Sequence, residues 1–258
     1  MHRWLLAATM LLVVATWQAR TPVVPMATNA AGQGVQCRVP IASAGPLSVA
    51  QGAVNLPPFR LEGGAQLTPR AALRVDAVVL GNRRYRFGRE ADYSPLDLAL
   101  GWGPMADPAV HGQLGIRQSG RWYHFRWGAD GPPIPAAEII SFSSNMHMIP
   151  SSPTVARRLL ALNDGDRVAF GGWLVDLATP DGLAWRTSLS RTDSGDGACE
   201  IVYVCDVRVL PLSARGGRAQ PGQEDAGQGD AHAHPLVRSR GSVEQQHVEH
   251  EGHQRLQQ

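Results

Sequence analysis

The chain has no lysine: all 24 of its basic residues are arginine. Arginine keeps its charge under ordinary conditions and presents its donors as a planar fork. We read the bias as the codon usage of a GC-rich genome rather than as selection for guanidinium chemistry. Asp and Glu together number 22, leaving a formal net charge of +2. A surplus that small, with arginine scattered among acids, gives no ground for a nucleic-acid partner, whose binding domains show a clustered basic face. Cysteine is scarce, at Cys37, Cys199 and Cys205. With no C-x-x-C pair, zinc-ribbon and thioredoxin-like readings are excluded. No G-x-S-x-G elbow is present for a serine nucleophile. The acidic, glycine-containing stretch 193–197 misses the calcium-loop pattern and its closing glutamate.

What is present begins at the N-terminus. Met1-His2-Arg3 supplies a positive start, and residues 4–17 supply an uncharged apolar run. That order matches an export signal. The run falls short of the roughly 20 residues that cross a bilayer as a helix. A site after Ala19 puts Trp17 at its −3 position, and a site after Ala30 lies far from the run. Both a cleaved signal and an uncleaved anchor in the inner membrane through residues 4–17 therefore stay open. Either way the expected location is periplasmic or inner-membrane-anchored. In an oxidising compartment three cysteines leave one over. Cys199 and Cys205 on one strand would lie roughly 20 Å apart, beyond the ~7 Å that a disulfide spans. Cys37 can bridge either.

Composition divides the rest. Residues 20–65 read as a linker, 66–212 as a single β-rich domain, and 213–258 as a disordered His-rich tail too poor in apolar residues to build a core. In the domain, Leu73, Val75, Ala77 and Val79 alternate over a strand at 72–80. Gly81-Asn82 then turns the chain into 84–87. Ser94-Pro95 reads as a helix start running to Leu100, and 116–127 as a strand. The stretch 136–143 is ambiguous between helix and strand. Ser152-Pro153 caps a helix over 154–162. Asp181-Gly182 joins strands 166–177 and 183–190 in a hairpin, with Trp173 and Trp185 placed to pair across it. A strand over 200–210 closes the domain. The expected fold is α+β and β-rich: a small antiparallel barrel or curled sheet, OB-like or SH3-like, with one or two short helices.

Two segments could carry chemistry. In 143–150, His147 is a candidate general base, with Asp193 or Asp196 to orient it. Asn145 is a candidate binding residue in the same segment. Met146-His147-Met148 invites a copper reading, but adjacent residues of a strand point to opposite faces and cannot converge. In 185–200, Arg186, Ser188 and Arg191 are candidate binding residues, with Arg186, Ser188 and Ser190 expected on one strand face. In the tail, His247, His250 and His253 would form a weak metal site if 243–257 were helical. No cofactor is implied.

Residues 85–88, 97–105, 145–150 and 185–200 resemble an uncharacterised family of short bacterial proteins. The resemblance covers roughly 70–206 and implies a bacterial source and a shared domain; it carries no activity and no site residues. The expectation is an exported, non-catalytic β-rich module that binds an envelope protein or supports an assembly in the bacterial envelope. The alternative is a small envelope hydrolase using His147.

Overall fold

A computed structural model describes residues 24–211 of the chain, apart from 194 and 196. The expected signal or anchor at 1–19 and tail at 213–258 lie outside the described residues. Among the described residues, no helix is long and apolar enough to cross a membrane.

The backbone of the fold is one long strand, β4 (Gln66–Arg84), which follows β1 (Ala27–Thr28), β2 (Val49–Gly52) and β3 (Phe59–Leu61). Its alternating Leu73, Val75, Ala77 and Val79 are all buried, as the period-2 pattern requires. The strand is longer than its alternation announces because a bulge at Leu80 carries it through Gly81-Asn82 instead of turning there. After it come β5 (Leu96–Gly101), a small hairpin of β6 (Arg117–Ser119) and β7 (Trp122–His124), β8 (Ser143–Pro150), β9 (Arg167–Ala178), β10 (Ala184–Trp185) and β11 (Glu200–Leu210). Helix α1 (Pro108–His111) precedes the hairpin, α2 (Ala136–Ser141) follows it, and α3 (Pro153–Leu160) joins β8 to β9.

β4 pairs with both β5 and β9, and the pairings run on through β8 and β11 back to β9. The result is a β-rich, mixed and partly ringed sheet, in which β8 and β11 are parallel and the other ring pairs antiparallel. Inside the curl lie Leu73, Leu98, Leu100, Met146, Met148, Phe170, Leu174, Val202 and Val204. Helix α3 adds Val155 and Leu159 to that core. Its cap is the expected one: Ser152 Oγ accepts from the Val155 N–H at 3.2 Å, and Pro153 occupies the first turn.

Several expectations change. Residues 96–101 form strand, not helix. Ser94-Pro95 is a good cap, but Leu96, Leu98 and Leu100 alternate into the core, and burial outweighs the local cap signal. The 116–127 segment is two short strands, because Gly120 and Arg121 both take positive φ (56° and 72°) and turn the chain tightly. The ambiguous stretch resolves as α2 followed by β8. Residues 186–193 are not a strand, so Arg186, Ser188 and Ser190 share no strand face. In the hairpin register Trp185 lies opposite Leu177, and Trp173 packs instead on Phe59 and Tyr203. A bulge at Cys205 flips the parity of β11, so Val207 belongs to the inner core while Ile201 and Tyr203 face outward.

Those outward residues explain why the segment read as a linker lies on the sheet over 27–61. Trp173, Val175, Leu177, Ile201 and Tyr203 form an apolar outer face that must be covered. Phe59 and Leu61, with Val35, Cys37, Val54 and Leu56, cover it. The cover is bonded on: Cys37 and Cys205 form a disulfide with Cα atoms 5.2 Å apart across 168 residues of sequence. Opening so long a loop releases about 2–5 kcal/mol. Cys37→Ser or Cys205→Ser should lower stability by that order in urea denaturation, and Cys199→Ser by much less. The oxidised chain should yield one thiol per molecule to a thiol reagent, and only after denaturation. A larger loss from Cys199→Ser would assign the bridge elsewhere.

Candidate functional site

The cross-strand registers place a row of polar residues on one face of the sheet. Arg83 stands opposite Asp97, and Asp97 opposite His147. One step along, Gly81 stands opposite Ala99, and Ala99 opposite Asn145. The alternate residues Leu96, Leu98, Met146 and Met148 go to the core. The methionines on either side of His147 thus point away from it, and Met146-His147-Met148 does not converge on a metal. Among the described residues, no group of three His, Cys, Asp or Glu side chains could hold a metal ion.

Asp97 is fully buried and His147 is 2% exposed. Asp97 Oδ1 lies 2.9 Å from His147 Nδ1 and 2.8 Å from Arg121 Nη1. Arg121 comes from the tip of the β6–β7 hairpin, at φ 72°, a conformation that non-glycine residues adopt at a cost. The strain is offset by what the tip reaches. Arg121 Nη2 donates to the Ser94 carbonyl at 2.9 Å, and its guanidinium lies over the Tyr85 ring at 3.8 Å. The Arg121 N–H donates to the Tyr85 hydroxyl, and its carbonyl accepts from Asn145 Nδ2 at 3.1 Å. Asn145 Oδ1 accepts from Gln118 Nε2 at 2.6 Å. Burial, with the Asp97 charge beside it, pushes the Tyr85 hydroxyl up to about 12. Trp185 closes the other side, its ring 4.4 Å from that of His147.

A second buried charge sits where β11 begins. Glu200 is 1% exposed; its Oε1 meets Arg191 Nη1 at 2.5 Å and its Oε2 accepts from Ser144 Oγ. Burial pushes its carboxyl up to about 7, against the opposing pull of Arg191 and Ser144. The thiol of Cys199 next to it is pushed up to about 12 by burial and by the Glu200 charge. The loop 186–199 is held by Ser188 Oγ, which donates to Asp193 Oδ2 at 2.6 Å, and by the Ser188 N–H, which donates to the Cys199 carbonyl.

The structure therefore brings Asn145 and His147 onto one face, and Ser188 and Asp193 into one loop. It does not bear out Asp193 as the acid that orients His147. Register places Asp97 directly beside that ring, while Asp193 holds Ser188. Arg191 is committed to Glu200 rather than to a ligand, and Arg186 is exposed. Asp196, His247, His250 and His253 lie outside the described residues. Sequence reasoning missed Asp97, Arg121, Gln118 and Glu200. A strand reading of 96–101 would have put Asp97 among alternating leucines, the one signal available for it.

No family model, curated protein or solved structure matches the chain.

Glu200 yields a pH test. Its folded value of about 7 stands above the ordinary 4.5 of the unfolded chain. The stability this contributes is complete below about 4.5 and is lost as pH rises through 7, by about 3 kcal/mol. Unfolding free energies measured from pH 5 to 8 should fall accordingly, and Glu200→Gln should flatten that slope. A wild-type slope that the variant leaves unchanged would show that another group carries it.

Proposed function

We propose that the ringed sheet is a barrel of the oligonucleotide- and oligosaccharide-binding type. Taking β4, β5, β8, β9 and β11 as strands one to five, the pairing order is one-two-three-five-four-one. The parallel third–fifth pair and α3 between strands three and four favour this type over an SH3-like one. Such a fold carries many functions and names no ligand by itself.

On that scaffold the chain acts as an exported, non-catalytic module that binds an envelope protein or supports an assembly in the bacterial envelope. One observation carries the non-catalytic reading: the polar groups of the site are turned on one another, with Asp97 Oδ2 buried and left without a hydrogen-bond partner. Arg121 and His147 share Asp97, and Asn145 is bonded on both ends of its amide. A general base needs its ring nitrogen within reach of a substrate proton; His147 is buried under Trp185. The Cys37–Cys205 bridge supports an oxidising location, periplasmic or at the inner membrane through residues 4–17. We keep nucleic acid outside this reading. The formal net charge is only +2, and on the strands Arg74 is matched by Asp206 and Arg167 by Asp76.

The full chain, isolated from native membranes in mild detergent, should hold one partner stoichiometrically, and added pure chain should displace it. His147→Gln, provided it folds, should retain that partner. Hydrolysis of ester or glycoside substrates that His147→Gln abolishes, with no partner recovered, would favour the hydrolase.

A further inference from the structure

The polar face closed by Arg121 is left open at one edge. There a cavity of about 190 Å³ lies between the end of β4, strand β6 and the turn before β9, lined by Gly81, Asn82, Arg83, Arg117, Gln118 and Asp164. It has room for about six waters at ~30 Å³ each, the size of one small polar molecule rather than of a peptide or a drug-sized ligand.

Three features shape it toward a ligand. The bulge at Leu80 re-aims the strand so that Gly81 forms the wall, and a Cβ there would stand 2.9 Å from Gln118 Oε1. Gln118 is fixed by its own amide nitrogen, which donates to Asn145 Oδ1 and to the Asp97 carbonyl. Its Oε1 is thereby held against that wall, with no described residue donating to it. Finally, Arg83 and Arg117 both line the cavity, and neither has an acid partner among the described residues. Asp97, opposite Arg83 in the register, is already taken by Arg121 and His147.

We propose that this cavity binds a small polyhydroxylated anion of monosaccharide size. Its carboxylate or phosphate meets the forks of Arg83 and Arg117, which match such groups bidentately. Its hydroxyls donate to Gln118 Oε1 and to the Asp164 carboxylate. The inference goes beyond the partner reading above and does not depend on it.

The test is calorimetric or NMR titration of the full-length chain with glucuronate and with glucose 6-phosphate, using glucose as the uncharged control. At least one charged sugar should bind saturably and at least tenfold more tightly than glucose, and the stronger of the two identifies the anionic group. Arg83→Gln with Arg117→Gln should weaken that binding at least tenfold while leaving the melting temperature within a few degrees, since both residues are exposed. Absence of saturable binding by either charged sugar would overturn the proposal. So would glucose binding equally well, or an affinity unchanged in the double variant.

Discussion

The structure turns on a guanidinium brought in from outside the ringed sheet to a carboxylate at zero exposure. Asp97 is the second residue of β5, on the face away from the core, where water cannot reach its carboxyl group. Burying an unpaired carboxylate is costly enough that such groups are found paired or protonated. Arg121 supplies the pair, and supplying it dictates much else. The hairpin must end in a tight turn with its second residue in the left-handed region. Tyr85 must lie beneath the guanidinium, Ser94 must offer its carbonyl, and Asn145 must hold the Arg121 carbonyl. The insertion between β5 and β8 is thus part of the sheet's outer wall, with its own small core of Met105, Leu114 and Ile139.

The other outer face solves its problem by different means. Trp173, Ile201 and Tyr203 are apolar, so cover comes from Phe59 and Leu61, and a disulfide holds the chain of residues leading to them. One face is closed by electrostatics and the other by apolar burial plus a covalent tie. Between them, Glu200 anchors the start of β11 to the loop 186–199 through Arg191. Buried ion pairs of this kind contribute little net stability, but removing one partner leaves a stranded charge. They act as constraints on conformation more than as sources of free energy.

This division explains what could be read from the residues. The α3 helix, the hairpin at Asp181-Gly182 and the inner alternation of β4 were legible, because cap, turn and period-2 signals agreed with burial there. At Ser94-Pro95 the cap signal disagreed with the alternation of Leu96, Leu98 and Leu100, and the long-range pairing decided. The segment 27–61 lacks periodicity because it covers a face with isolated apolar residues rather than with an amphipathic element. The site was hardest to read. Asn145 and His147 stood out in the sequence, but their partners Asp97, Gln118 and Arg121 come from separate elements that only the sheet register brings together. Asp193, nearer in sequence to other polar residues, drew the role that Asp97 has.

The central claim is that Arg121 and Asp97 act as one unit. A double-mutant cycle in urea denaturation measures this directly, with Arg121→Ala, Asp97→Asn and the double variant. Each single change should cost about 3–5 kcal/mol, and the double change should fall short of their sum by about 2 kcal/mol or more. Costs that add to within about 0.5 kcal/mol would contradict the account and leave the hairpin without its anchoring role.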